Sequence, residues 1–186
     1  EDDELNRLIS FTDPIWNITG YRYDERDLLL EERHGTTGNE RMEYNDLGLL
    51  VQKTDRKGQI IVMKYDEMNR NTAVLHYQNR QDYQNNQACR QVKTVYDHRG
   101  NPVRVSSEEL IEYYLYDHNN QVIKLKRRLK DPALREQVAR VWGGDAEEQS
   151  FSFSYEYNDA GMVTRMIYPD GAVHQYDYDS ALGRLE

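Results

Sequence analysis

The segment Tyr155-Glu156-Tyr157-Asn158-Asp159-Ala160-Gly161 contains the pattern that decides the fold of this chain of 186 residues. Tyr155 and Tyr157 alternate with a charged residue, and this period of two places both rings on one face of a β-strand. Asn158 then favours a turn, because its side chain can accept a backbone N–H two residues on. Gly161 tolerates a positive φ, which suits a type I turn followed by a bulge. The segment therefore predicts a strand that enters a tight turn and returns as a second strand.

The same pattern recurs with a period of about 21 residues. Apart from Tyr176-Asp177, which is out of phase, a Tyr followed by Asp or Asn occurs seven times, and four of the six intervals are 20 or 21 residues, while the other two are 31 and 41. The fourth residue after the Tyr is mostly Gly or Asn, and the sixth is mostly apolar. The residues that define the repeat are Tyr23, Asp24, Tyr44, Asn45, Gly48, Tyr65, Asp66, Tyr96, Asp97, Gly100, Tyr116, Asp117, Tyr157, Asn158, Gly161, Tyr178 and Asp179. Such a period predicts a repeat protein in which each unit is one β-hairpin.

Two further features extend the repeat. Asp2-Asp3 stands 21 residues before Tyr23-Asp24, which predicts an eighth copy that has lost its Tyr. A second kind of turn closes each unit, most clearly at Tyr168-Pro169-Asp170-Gly171 and Asp55-Arg56-Lys57-Gly58. Residues 1–186 are therefore predicted to be one all-β segment of tandem antiparallel hairpins, in a sheet that curves or spirals because strands twist. Which face of this sheet is covered stays open, because both faces carry charge.

The two long intervals contain insertions of different character. Residues 78–91 are rich in Gln and Asn, and we expect an extended, solvated loop there. Residues 129–149 predict an α-helix, in which Asp131 is the N-cap, Pro132 takes the first helical position and Gly143-Gly144 ends the helix. The apolar residues at helical spacing are Leu134, Val138, Val141 and Trp142. This helix either packs on the sheet, or lines a cavity or meets a partner.

Composition excludes several classes of function. The net charge is −9, from 24 Lys and Arg against 33 Asp and Glu, which disfavours nucleic acid and anionic membranes as main partners. The single Cys89 cannot form an internal disulfide. No apolar run approaches the ~18 residues that cross a bilayer. The first residues, Glu1-Asp2-Asp3-Glu4, are not a signal peptide, so we expect any export signal to lie outside this segment.

No motif for catalysis or metal binding is present. The five histidines and the one cysteine form no zinc, serine-hydrolase or thiol motif. Asp97-His98 and Asp117-His118 occupy matching turn positions, where solvated turn residues are more common than a metal site. The basic run Lys124, Lys126, Arg127, Arg128 and Lys130 is either an outward strand face or a contact for an acidic partner. The repeat tyrosines of successive hairpins share one face of the sheet as a Tyr ladder, which either forms an inward wall or stacks sugars. We therefore expect no catalytic residue, no metal site and no cofactor.

The repeats resemble the YD repeats of the Rhs family, which also occur in the Tc-toxin C component, bacterial wall-associated proteins and teneurins. The resemblance rests on Tyr21-Arg22-Tyr23-Asp24, on residues 155–161, on Tyr176-Asp177-Tyr178-Asp179 with Gly183-Arg184-Leu185, and on Thr12-Asp13-Pro14-Ile15-Trp16-Asn17 as the second turn. It covers nearly the whole chain apart from the two insertions. Asp13-Pro14 and Asp131-Pro132 lack the Gly-Leu of the family's autocleavage motif, so no protease residues are carried over.

The resemblance implies a non-catalytic structural segment of a β-shell that encloses a C-terminal toxin domain for secretion and delivery. The implied partners are flanking repeats and the enclosed toxin of the same larger protein, together with a component of secretion machinery such as the type VI system. Nucleic acid and membrane insertion are not expected. The alternative is a cell-surface YD-repeat region that acts in adhesion or carbohydrate binding. Both interpretations place the protein outside the cell or at its surface.

Overall fold

The computed structural model describes residues 1–35, 37–142, 150–179 and 185. The chain divides into two compact units, Glu1–Val92 and Lys93–Glu186.

The first unit is a meander of antiparallel strands. Each strand pairs with the next one along the chain. Its elements are β1 Ser10–Thr12, β2 Ile18–Tyr23, β3 Leu29–His34, β4 Asn39–Tyr44, β5 Leu50–Thr54, β6 Ile60–Tyr65, β7 Asn71–Tyr77 and α1 Arg80–Gln84.

The second unit repeats the same arrangement, and it takes in most of β8, whose first residues belong to the first unit. Consecutive strands again pair antiparallel. Its elements are β8 Arg90–Tyr96, β9 Pro102–Ser106, β10 Leu110–Tyr116, β11 Val122–Leu129, α2 Pro132–Trp142, β12 Ser150–Tyr157, β13 Val163–Ile167 and β14 Val173–Gln175. The predicted all-β class of tandem antiparallel hairpins is confirmed.

The degenerate copy at the start of the chain has the same turn as the others. Asp3 accepts the backbone N–H groups of Leu5 and Arg7 at 2.9 and 3.0 Å. Asn6 has a φ of 58°, the left-handed conformation that the fourth position of each copy requires. Asp2 pairs with Leu8, in the place where the other copies put the Tyr. The turn therefore survives the loss of its tyrosine.

Side-chain exposure distinguishes the two faces of each hairpin. The repeat Tyr and the residue two before it are half-buried or buried in all seven Tyr copies, from Tyr21 and Tyr23 to Tyr176 and Tyr178. The residue between them is exposed in every copy; these residues are Arg22, Glu43, Lys64, Val95, Leu115, Glu156 and Asp177. The strands therefore have a covered tyrosine face and an exposed opposite face, a distinction that the sequence alone left open.

The Gln/Asn-rich insertion is largely exposed, as expected, but part of it forms a helix where an extended loop was predicted. Asn79 caps the short helix α1 by accepting the backbone N–H of Asp82 at 3.0 Å. Tyr83 of this helix packs edge-on against Tyr77, with 5.3 Å between ring centroids. The Tyr77 hydroxyl donates to Asn86 Oδ1 at 3.2 Å. The expectation of an extended loop was wrong for residues 80–84, because one capping side chain and one ring outweigh the polar composition.

This insertion covers the only apolar cluster that the described residues place on the face opposite the tyrosines. Its buried members are Ile60, Ala73, Leu75 and Tyr77, with Val62 and Ala88 packed against them. The register pairs Ile60 with Tyr77 and Val62 with Leu75, so the cluster belongs to β6 and β7. Burial of this cluster stabilises the insertion, since each fully buried side chain of this size is worth roughly 1.5–3 kcal/mol.

The second insertion contains the predicted helix. Helix α2 begins at Pro132, after Asp131, whose carboxylate accepts the Ala133 N–H at 2.8 Å. The predicted stop at Gly143-Gly144 lies outside the described residues, as does Gly183-Arg184 of the last copy. Leu185 of that copy pairs with Tyr178, seven residues on instead of six, so the copy is one residue longer than the others.

Candidate functional site: tyrosines that tie neighbouring hairpins

Each repeat turn is built around the carboxylate or amide that follows the tyrosine. In the copy after Tyr65, Asp66 Oδ1 accepts the backbone N–H groups of Met68 and Arg70 at 2.9 and 3.0 Å. Asn69 takes a positive φ of 61°. A tight turn leaves some backbone N–H groups without a backbone acceptor. The short Asp side chain accepts the two N–H groups that lie two and four residues further along the chain.

The same bonds recur at six of the seven repeat positions predicted from the sequence, while the turn after Asp179 lies outside the described residues. Oδ1 of the turn residue accepts the N–H groups two and four residues on in Asp24, Asn45, Asp66, Asp97, Asp117 and Asn158, at 2.8–3.1 Å. The fourth position has a positive φ in Asp27, Gly48, Asn69, Gly100, Asn120 and Gly161. Either Asp or Asn can take this position, because the bond uses an oxygen that both possess.

Charge adds to this geometry where the turn residue is Asp. The backbone N–H of Leu28 contributes most to lowering the pKa of Asp24. The hydrogen bonds from Arg26 lower it further, although desolvation opposes the shift. The Arg70 guanidinium is the largest cause of the lowered pKa of Asp66. These carboxylates are therefore held in the ionised form that accepts most strongly.

A β-bulge at the end of the first strand of each hairpin sets the position of the tyrosine. Tyr44 pairs with Leu50 while Glu43 pairs with Gln52, so one residue of the return strand is unpaired. The same shift occurs at Tyr23, Tyr65, Tyr96, Tyr116 and Tyr157. A bulge re-aims the side chain next to it. In each copy it fixes the ring opposite the first residue of the return strand.

The tyrosine hydroxyl reaches the preceding hairpin. Tyr44 Oη donates to the carbonyl oxygen of Leu29 at 3.0 Å, and Leu29 is the residue that Tyr23 pairs with in the copy before. The corresponding bonds, from 2.7 to 2.9 Å, join Tyr23 to Leu8, Tyr65 to Leu50, Tyr116 to Pro102, Tyr157 to Val122 and Tyr178 to Val163. We call this contact the tyrosine clamp. It explains why the repeat uses Tyr, since Phe supplies the ring without the donor.

Three of the clamp hydroxyls are held as protonated donors by burial. Burial raises the pKa of Tyr44, Tyr116 and Tyr157. A hydroxyl that titrates above its ordinary pKa of ~10 keeps its proton throughout the physiological range. Nothing in this arrangement activates the hydroxyl as a nucleophile, which would need a lowered pKa or an adjacent base.

Side chains also tie one repeat turn to the next. Arg26 donates through Nη1 to the carbonyl oxygens of Asn45 and Asp46 at 3.0 and 3.1 Å. In the second unit Arg99 reaches the carbonyl of Asp117 at 3.2 Å, and Gln121 reaches that of Gly161 at 3.2 Å. As in the clamp, the acceptors are backbone carbonyls, so the contact does not depend on the side chain of the neighbouring turn.

The exposed face of the first unit carries one buried acid that the sequence analysis did not single out. Glu31 is 4% exposed and contacts Arg22, Arg33 and Arg41, with N–O distances of 3.5, 2.8 and 3.2 Å. Asn39 donates to the same carboxylate at 3.2 Å. The Arg33 guanidinium contributes most to a pKa of about 2 for Glu31, against the effect of burial. The cluster joins β2, β3 and β4 across the face.

The histidine positions weighed from sequence lie in neighbouring turns of the second unit. His98 and His118 are both exposed, and Asp97 and Asp117 beside them are engaged in their own turns. Within the described ranges no group of three or more His, Cys, Asp or Glu side chains is placed to hold a metal ion. No helix of the described chain has the length and apolar character needed to cross a membrane.

Similarity to known proteins is found in the structure but not in the sequence. No protein-family model and no curated protein matches this sequence. The structure is similar to the Photorhabdus luminescens Tc holotoxin pore carrying a TccC3 mutation, with a TM-score of 0.72 at 14% identity over 99% of this chain. It is also similar to the crystal structure of TcdB2-TccC3-Cdc42, with a TM-score of 0.73 at 15% identity over 98%. The likeness is to the fold.

The chain spans about a tenth of the length of these solved structures, since it covers 10% of each of them. The comparison therefore shows that this chain shares its fold with a segment of each of these larger chains.

Proposed function

We propose that this chain is a non-catalytic structural segment of an Rhs/YD-repeat protein, and that it forms part of a β-shell which encloses a C-terminal toxin domain for secretion and delivery. The observation that carries the proposal is the tyrosine clamp, in which hairpins are joined to their predecessors by the same bond to a backbone carbonyl. A wall needs a joint that can be repeated without a specialised partner, and a backbone acceptor provides one.

The distribution of exposure supports the same proposal. The tyrosine columns lie on the covered face, and their hydroxyls donate to carbonyls of the protein itself. A surface that stacks sugars needs rings whose faces and hydroxyls are open to solvent. This favours an inner wall over the alternative of adhesion or carbohydrate binding through the Tyr ladder.

The larger protein that carries these repeats provides the test. We expect a domain downstream of the repeats to resist trypsin in the intact protein, and to be digested when it is expressed without them. We also expect that domain alone to arrest the growth of a bacterial host, while the intact protein does not. The proposal is wrong if no further domain follows the repeats, or if that domain is digested equally fast with and without them.

Secretion is part of the proposal and is tested separately. Because enclosure requires that the cargo leaves with its container, the repeats and the downstream domain should appear together in the culture medium of the producing cell. Tagging both ends and finding only one tag outside the cell, or neither, would contradict delivery as a single particle.

A further inference from the structure

The exposed face of the second unit carries a group of cations. It consists of Lys93 on β8, Arg104 on β9, and Lys124, Lys126 and Arg128 on β11, and we call it the basic ladder. The β11 members belong to the basic run that is visible in the sequence, whereas Lys93 and Arg104 lie on two further strands. The wall function proposed above does not use these residues.

The pairing register places the ladder on one face. Lys93 pairs with Ser106, Ser106 with Ile111, and Ile111 with Arg128. Residues opposite one another in an antiparallel sheet share a face, so Lys93 and Arg128 point to the same side. Residues two apart along a strand share that face as well, which adds Lys124 and Lys126 through Arg128.

The cations of the ladder are accessible. Lys93, Arg104, Lys124 and Arg128 are exposed, and Lys126 is half-buried. Within the described part of the chain, no ion pair to a carboxylate is formed by Lys93, Arg104, Lys124 or Arg128. Most of the positive charge is therefore available to a partner.

Acidic residues are kept away from this face. Among the described strand residues from Lys93 to the end of β12 that share the face, Glu156 is the one acid, and it pairs with Arg165 at 2.9 Å. Glu112 lies on the tyrosine face, where it pairs with Arg127 at 2.8 Å. Because the chain as a whole has a net charge of −9, the ladder is a local reversal of sign.

Exposed apolar groups lie between the cations. Tyr113 and Leu115 on β10 are 39% and 56% exposed. Tyr113 pairs with Arg104 on one side and Lys126 on the other, and the Arg104 guanidinium lies 5.9 Å from the Tyr113 ring centroid. Aromatic rings and arginines of this kind are the side chains that are enriched in protein interfaces.

We propose that the basic ladder binds an extended acidic polypeptide segment whose carboxylates alternate with uncharged side chains. Lys124, Lys126 and Arg128 recur at about 6.6–6.8 Å, the spacing of every second residue in a strand, so an extended partner presents carboxylates at the same interval. Tyr113 and Leu115 receive the uncharged side chains. A long polyanion such as nucleic acid is disfavoured, because it runs past the ladder onto acidic surface, and like charges that approach within the ~8 Å screening length repel each other.

Fluorescence anisotropy of a labelled synthetic peptide tests the proposal. The probe has glutamate at every second position, and its control has the same composition with the glutamates in one block. We expect the alternating peptide to bind the 186-residue chain at low salt. We expect the triple substitution Lys124→Gln, Lys126→Gln and Arg128→Gln to weaken binding by about tenfold or more, the sum of three modest surface pairs.

A second variant and a matched control make the result decisive. Lys93→Gln with Arg104→Gln removes cations from two other strands, and it should weaken binding even if the triple variant proves unstable. Lys57→Gln with Lys64→Gln and Arg80→Gln changes the net charge by the same amount as the triple variant but in the first unit, and it should leave binding unchanged.

Three outcomes overturn the proposal. The first is the absence of binding to the alternating peptide at low salt. The second is equal weakening by the control substitutions, which would indicate a response to net charge alone. The third is binding of single-stranded DNA or of phosphatidylserine vesicles as tightly as the alternating peptide, which would indicate a general polyanion surface.

Discussion

The tyrosine clamp makes a quantitative prediction about stability. Tyr44→Phe keeps the ring and removes one hydroxyl, whose only protein partner among the described residues is the Leu29 carbonyl at 3.0 Å. A hydrogen bond between neutral groups contributes a net ~0.5–1.5 kcal/mol, and the ring leaves no cavity behind. We expect Tyr44→Phe to lower the free energy of unfolding by about 1 kcal/mol.

The clamp predicts that such losses add. The bonds of Tyr44 and Tyr65 reach carbonyls in successive hairpins, Leu29 and Leu50. Two strand spacings separate equivalent positions, roughly 9.6 Å, and substitutions that far apart are usually additive within about 0.5 kcal/mol. The double variant should therefore lose about 1–3 kcal/mol.

Tyr21→Phe is the matched control in the same unit. Tyr21 stands two residues before a clamp tyrosine on the same half-buried face, but within the described chain its hydroxyl has no hydrogen-bond partner. We expect its loss to change stability by less than about 0.5 kcal/mol. Urea unfolding followed by circular dichroism measures all three variants, with an unchanged slope of free energy against urea as the condition for comparing midpoints. If the double variant is no less stable than Tyr21→Phe, the clamp contributes nothing and our explanation of the recurring tyrosine fails.

Three further predictions concern the turns and the exposed face. Asp66→Ala removes the acceptor of two backbone N–H groups and should cost about 1–3 kcal/mol in urea unfolding, whereas Asp66→Asn should stay near wild type. The lowered pKa of Glu31 stabilises the fold fully above pH 4.5, and this contribution should be lost between pH 4.5 and about 2. Glu31→Gln should reduce the pH dependence of the free energy of unfolding over that window, leaving the part due to other acids with a lowered pKa, such as Asp24 and Asp66. Gly38→Ala should destabilise more than Gly58→Ala in thermal melts, because both have a positive φ but only the first places a Cβ 2.9 Å from the Arg56 carbonyl oxygen.

The hairpin repeat could be predicted from sequence because its signals are local. The turn at Asn45 needs an acceptor at one position and a residue that tolerates positive φ three positions on, and both are visible in the letters. The alternation of Tyr21 and Tyr23 fixes their common face for the same reason. Even the copy at Asp3, which has no tyrosine, kept enough of this chemistry to be found.

The clamp could not be predicted in the same way, because its acceptor is a backbone atom. The position six residues after each tyrosine is mostly apolar, and Pro102 interrupts that column in the sequence. In the structure the carbonyl of Pro102 accepts the Tyr116 hydroxyl at 2.9 Å, as the carbonyl of Val122 does for Tyr157 at 2.7 Å. The apolar side chains at this position therefore reflect packing. They carry no information about the hydrogen bond, because the tyrosine hydroxyl binds the backbone carbonyl of that residue.

The first insertion was misjudged for a different reason. Gln and Asn dominate residues 78–91, and an average over composition predicts an extended loop without regular structure. The fold of the insertion depends instead on Asn79 at a cap and on Tyr83 against Tyr77. Their effect depends on an apolar cluster of β6 and β7, whose place on the face opposite the tyrosines only the register of those strands reveals.

Both insertions enter at the second kind of turn, and this follows from where the clamp lies. The clamp joins the ends of strands next to the repeat turns, with 15 residues between donor and acceptor in the copies of Tyr44 and Tyr65. Helix α2 lengthens that separation to 35 residues for Tyr157, yet its hydroxyl still reaches the Val122 carbonyl at 2.7 Å. The single extra residue after Tyr178 leaves its bond to the Val163 carbonyl at 2.8 Å, but an insertion of helix length in a repeat turn would displace the bulge and the ring with it. An insertion at the opposite edge leaves both in place. Added structure is therefore tolerated at the edge that the clamp does not use.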